Sequence, residues 1–217
     1  MYFMKYIKML IFYATLASII SSLGFFMDND SMVLGSMLIS PMIEPIYTLA
    51  SSTFSIGIIY SSVFSIIILS IIAYCIGISA SILNHYINYF KVPTEQMAGY
   101  TTMPKYVGNV IVPFLAGIVI AVSKPSNNIL AITGVGLIIA VLPPIVNGGL
   151  YHGNYIWNKT TSHSTTLATE DREIMDTSKK MVNDIYKGKV SILLSLTNMI
   201  SILVGCVLTN LIIKYLM

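Results

Sequence analysis

Uncharged apolar runs long enough to cross a membrane alternate with short polar turns along most of this chain. Residues 9–27 hold nineteen positions without a charge, behind Lys5 and Lys8. At about 1.5 Å per residue such a run crosses the hydrocarbon core of a bilayer. Lysines before an apolar run also describe a signal peptide, but no small-residue cleavage site precedes Asp28, so an uncleaved span is expected. Asp28, Asn29 and Asp30 make a polar turn and a helix start. Residues 31–55 follow with Glu44 as their one charge after the turn, then an uncharged run over 57–83 rich in isoleucine and serine. Its serines, such as Ser61 and Ser65, suit back-bonding within the helix or contact with a neighbour, and Gly77 with Ser81 suits close helix packing.

Residues 84–105 are mixed and read as a connecting loop, with an interfacial aromatic piece around Tyr86–Phe90. The fourth candidate span is 106–123, interrupted by Pro113. The fifth runs from Ile129 to about Tyr151, and the sixth over 190–213 with Asn198 and Asn210 inside it. Between the last two lies a polar tract, 152–189. There Ile174, Met181, Val182 and Ile185 share one face at helical spacing, which predicts an amphipathic surface helix.

Two of these segments carry prolines where a regular helix cannot pass unchanged. The first reads Gly35-Ser36-Met37-Leu38-Ile39-Ser40-Pro41-Met42-Ile43-Glu44-Pro45, the second Leu142-Pro143-Pro144-Ile145-Val146-Asn147-Gly148-Gly149. Proline removes a backbone donor and clashes with the preceding turn. In hydrocarbon, broken backbone persists only inside protein or beside a wet cavity, and a carboxylate at such a place marks a functional site. Glu44 sits by the first break and Asn147 by the second.

A shift of 99 residues lays one broken segment on the other. Gly35 meets Gly134, Leu38 meets Leu137, Ile39 meets Ile138, Pro45 meets Pro144 and Ile46 meets Ile145, five identities in fifteen positions. The same shift carries the first span onto the fourth. Three spans per half is an odd number, so the second half enters the membrane upside down, as in many secondary transporters whose sites lie at paired helix breaks. The expected fold is all-α: a polytopic membrane helix bundle of about six spans, built as an inverted repeat of two three-span halves with proline-broken central helices. It forms a single transmembrane domain over 1–217, with a first half at 1–90 and a second at 91–217, the tract 152–189 being a polar insertion.

Composition agrees. The 217 residues are 55% hydrophobic and 10% charged, with a mean hydropathy of +0.79. Soluble domains hold roughly 25% charged residues. A scattered net charge of +3 offers no basic patch for nucleic acid. Cys75 and Cys206 lie in apolar runs and read as packing residues, and the isolated His85, His152 and His163 give no metal-ligand spacing, so no metal or cofactor is expected. If all six spans cross, lysine and arginine number four on the side of the termini and eight on the other, which puts the long tract in the cytoplasm. A first broken segment that dips in and returns would sharpen that bias to ten against two; repeat and length favour a crossing.

The quoted residues resemble the integral membrane family known as domain of unknown function 389. Its pattern G-A-M-L-I-[AS]-P-L-M-x-P-I is matched by Gly35 to Ile46. A G-V-x-I-A-x-x-L-x-P-P stretch is matched by Gly134 to Pro144, and an asparagine of the last span by Asn198. The resemblance covers most of 9–213 outside the polar tract. The chain departs from it around a T-x-P-N element, where Tyr100 and Lys105 flank Thr102 and Pro104, and at Gly108, where an aspartate is expected. The family has no settled biochemical function, so the resemblance speaks to fold.

The expected function is transport or conduction of a small solute or ion. Glu44, Ser40, Asn147 and Asn198 form its pathway, and Gly35, Pro41, Pro45, Gly134, Pro143 and Pro144 its helix breaks. Glu44 and Asn147 are expected to meet where the two broken helices touch, with Asn198 close by. A non-transporting scaffold that binds a partner through 165–189 is the alternative. No serine–histidine, paired-aspartate or histidine-rich signature supports an enzyme. The expected partners are the lipid bilayer and a small solute or ion, with a homo-oligomer left open.

Overall fold

A computed structural model describes residues 2–51, 56–101, 106–123, 141–165 and 171–216. All regular structure among them is helical: α1 (Tyr2–Phe26), α2 (Asp30–Ile39), α3 (Ile43–Ser51), α4 (Ile56–Ile87), α5 (Glu95–Gly99), α6 (Tyr106–Ser123), α7 (Leu142–Thr165) and α8 (Asp171–Leu216). Three stretches are long and apolar enough to cross a membrane: Tyr6–Phe26, Ile56–Ile87 and Thr177–Tyr215. The bent pair α2–α3 makes a fourth if it counts as one span. Their outward faces carry Phe12, Ile67 and Ile200, while Ser18, Ser65 and Ser195 are buried. Two of these satisfy their hydroxyls locally, Ser18 on the Ala14 carbonyl and Ser65 on the Ser61 carbonyl.

Helix α1 stops at Asp28, which takes a left-handed backbone (φ 51°), and Asn29 caps α2 by accepting from the Met32 amide. Helix α2 stops at Ser40 because a residue before proline is driven to extended backbone, and Ser40 sits at φ −63°, ψ 125°. The two halves meet at 51°. The break therefore belongs to Pro41. Pro45 falls in the first turn of α3, where its missing N–H costs little, and Gly35 lies inside α2 with open space around it, so neither breaks a helix. Pro143 and Pro144 likewise open α7, and α6 runs through Pro113 as one helix. Gly134 and residues 124–140 lie outside the described residues.

Chain directions follow from contacts. Helices α1 and α4 run side by side in one direction: Leu10 lies by Leu69 at one end, and Phe26 stacks on Phe90, held to Asn84, at the other. The pair α2–α3 runs back along α1, since Asp28 starts it and Glu44 bonds to the Tyr6 hydroxyl. Helix α7 lies along α4 in the same direction. A Cβ on Gly77 would strike the Val146 carbonyl and one on Gly149 the Tyr74 carbonyl; further on, Ser81 and His85 reach Asn154. Because Cβ atoms lean toward a helix's N-terminus, this reciprocal pattern three residues back marks a parallel pair. It recurs between α6 and α8, where Gly117 faces the Ile202 carbonyl and Gly205 the Phe114 carbonyl. Helix α8 runs opposite to α7, with Ser195 at Val141, Ser191 at Pro144 and Gly188 at Gly148.

Two sequence expectations change. The loop at 84–105 also carries a short helix, α5, which the sequence did not predict and which buries Met97 while Glu95 stays exposed. Thr94 caps it and donates to the Phe25 carbonyl, while Gln96 bonds to Asp28 and Asp30. Tyr86 and Tyr89 stand exposed nearby. The tract 152–189 is no separate surface helix: it is the end of α7 and the start of a single 46-residue α8. Val182, expected on a covered face, is 70% exposed.

Candidate functional site

At the first break the Ser40 hydroxyl accepts from the Met42 amide at 3.5 Å, which steers the chain into α3. Glu44 stands in the first turn of α3, where a negative charge faces the positive end of the helix dipole. Its side chain is exposed and takes the Tyr6 hydroxyl. Beside it an open groove of about 560 Å³ is lined by Tyr6, Pro45, Thr48, Ser61, Ser62 and Ser65, among others.

The proline-opened start of α7 is sealed. Asn147 is fully buried, and its amide nitrogen donates to the Met97 carbonyl at 2.9 Å and the Ser191 hydroxyl at 3.1 Å. The Ser191 hydroxyl is spent on the Pro144 carbonyl at 2.9 Å and must therefore accept from Asn147. A carbonyl can only accept, so both neighbours require the N–H₂ end, and the amide orientation follows from its partners. The Asn147 Oδ1 is left without a hydrogen bond.

These contacts belong to a stripe on α8. Asp184, Gly188, Ser191, Ser195, Asn198 and Ile202 are all buried, three or four residues apart, on one face. Ser195 donates to the Val141 carbonyl at 2.7 Å, and Asn198 follows one turn later. Asn147 thus meets the stripe that contains Asn198. It shares no hydrogen bond with Glu44, whose partner is on α1.

Four residues outside the expected set complete this region. Met97 is fully buried and brings its carbonyl from α5. Tyr151, one turn after Asn147, is fully buried, with Thr101 beside its hydroxyl. Asp184 is 3% exposed, and its Oδ2 takes no hydrogen bond. Lys187 holds its ammonium 5.7 Å from the centre of the Tyr151 ring. Nearby, burial and then the Asp30 charge push the Tyr100 phenol up to about 12, so it stays neutral against Phe25. Among the described residues no three His, Cys, Asp or Glu side chains gather as a metal set.

The family described as domain of unknown function (DUF389) matches residues 37–204, a stretch that takes in the first break, the second break and the stripe through Asn198. The chain belongs to that family. No curated protein and no solved structure matches it. Membership in DUF389 covers both breaks yet assigns no activity to either.

Proposed function

We propose that this DUF389 protein is a multi-pass membrane protein that carries a small solute or ion through the contact between its two halves. The observation behind this reading is Asn147: a buried amide oxygen left unspent at the start of a proline-opened helix, against a polar stripe. Unpaired polar groups are costly away from water, and in transporters such groups gather at helix breaks. In this reading Asn147 and Asn198 line the centre of the pathway, and Ser40 and Glu44 its mouth at the first break.

Chain directions support six spans in two inverted halves. Helix α1 is parallel to α4, and α6 to α8, as corresponding pairs. Helix α4 is parallel to α7 and α7 antiparallel to α8, so the second pair points opposite to the first. The end of the bundle bearing Lys91, Lys159, Lys179, Lys180, Lys187 and Lys189 then faces the cytoplasm.

The test is flux. Vesicles containing the purified protein should take up a small ion above protein-free vesicles, and Asn147→Ala should cut that rate at least about tenfold with folded yield retained. Equal flux in protein-containing and protein-free vesicles across alkali cations, protons, halides and small neutral solutes would remove the reading. The scaffold alternative draws on the exposed Val182 and Tyr186 of α8. A tight complex lost on changing both to serine would favour it.

A further inference from the structure

Three helices share the open groove of about 560 Å³ beside the first break. Tyr6 comes from α1, Pro45 and Thr48 from α3, and Tyr60, Ser61 and Phe64 from α4. Pro45 follows Glu44 directly, and Thr48 stands one turn on, its hydroxyl donating to the Glu44 carbonyl at 2.8 Å. The Glu44 carboxylate takes the Tyr6 hydroxyl, so the charge stands at the rim and is tied to one wall. On α4 the rings of Tyr60 and Phe64 stack at 6.3 Å with 8° between their planes, and both are exposed.

We infer that this groove binds a small organic ammonium ion, with Glu44 as its counter-charge and Tyr6, Tyr60 and Phe64 as its aromatic wall. Charge and surface select that class together. The carboxylate draws a cation, and the negative face of an aromatic ring attracts an ammonium group, quaternary ones included. A bare alkali ion needs oxygens close on every side, whereas three of the residues around this space present rings. Its volume is that of a small-molecule site and far exceeds an ion. A neutral apolar molecule would fill the groove without answering the charge.

Lys8 does not serve as a built-in counter-ion. It lies two residues after Tyr6, about 200° round α1, and so faces away from the groove that Tyr6 lines. The carboxylate's described side-chain partner is thus a neutral phenol, which leaves its charge for a ligand to answer.

The site deepens the transport reading, on which it rests for a role, by naming a solute class for the mouth; it is tested by binding alone. The full chain is placed in nanodiscs of phosphatidylglycerol, a lipid with no ammonium group of its own, in an amine-free buffer. Radiolabelled choline is the probe. Expected is saturable binding of about one choline per chain, displaced by tetramethylammonium. Dimethylbutanol, the uncharged carbon isostere of choline, should compete at least about tenfold less well. Glu44→Gln keeps the shape and should weaken choline binding at least about tenfold at unchanged Tm. Tyr60→Leu and Phe64→Leu should each weaken it several-fold. Choline uptake by the discs that never saturates, a Glu44→Gln protein that binds choline as well as the original, or an alcohol that competes as well as tetramethylammonium would each overturn the site. Choline bound here but not carried into vesicles would keep the site and count against the transport reading. Flux of another ion through a protein that binds no choline would keep transport and remove the site.

Discussion

The side-chain nitrogen of Asn147 lies 2.9 Å from the backbone carbonyl of Met97, joining the second helix break to a five-residue helix fifty positions earlier. That bond makes the connection between the two halves part of the core. Met97 is fully buried, and the loop around it is tied to α1 and α2 through Thr94, Gln96 and Tyr100. Asn147→Ala would leave the Met97 carbonyl without its side-chain partner and open space beside Ser191. An expected cost of about 1–3 kcal/mol follows, to be measured as a loss of thermal stability in detergent.

Thr94 serves twice, accepting from the Met97 amide at 3.3 Å and donating to the Phe25 carbonyl at 2.7 Å. Thr94→Val removes both bonds while keeping the shape. We expect a loss of about 1–2 kcal/mol and faster hydrogen exchange across residues 95–101, with exchange in α4 unchanged.

The glycines divide into two kinds. Gly77 and Gly149 have each other's backbone where a side chain would stand, so alanine at either forces α4 and α7 apart at a cost of about 1–3 kcal/mol. Gly35 meets nothing within 4 Å, and Gly35→Ala should instead stabilise α2 by about 0.5–1 kcal/mol. Unfolding of the three single variants side by side checks both signs.

Glu44 is exposed with a single side-chain bond from Tyr6, so Glu44→Gln should shift stability by less than about 0.5 kcal/mol. Under the transport reading the same change reduces cation affinity or proton coupling. A flux assay beside a melting curve separates the two effects.

If all six candidate stretches cross, both termini lie on one side. Tags at the two ends should be labelled together by an impermeant reagent, and opposite labelling would break the six-span topology. With residues 152–189 cytoplasmic, Asn158 of the Asn158-Lys159-Thr160 sequon stays without a glycan in a eukaryotic host.

Much of the fold was legible because proline and glycine act locally. Pro41 stops α2 where the chain must become extended, Pro143 and Pro144 open α7, and the close approach expected at Gly77 and Ser81 is made to Gly149 and Asn154. What escaped the sequence depends on distant partners. The five residues of α5 are held by Asp28, Asp30 and Phe25, none of them near in sequence. Pro45 looked like a second break because proline is tolerated in a helix's first turn, and only the position of Pro41 decides where that turn begins. Asp184 was passed over because a charged tract reads as surface, and Tyr151 because it closes an apolar run. The cue present was spacing: Asp184 continues the three- and four-residue steps of Ser191, Ser195 and Asn198.

Helix α8 has one more consequence. Its 46 residues make a rod of about 69 Å, against a hydrocarbon layer of about 30 Å. If the crossing begins at Val190, the nineteen residues before it, about 28 Å, project from the lipid as a mast, with the end of α7 alongside. A small membrane protein seldom offers so stiff a projection. A rigid soluble protein spliced between Thr165 and Asp171 would be carried by helix on both sides, giving a 23.8 kDa chain the bulk and the visible axis that single-particle imaging needs.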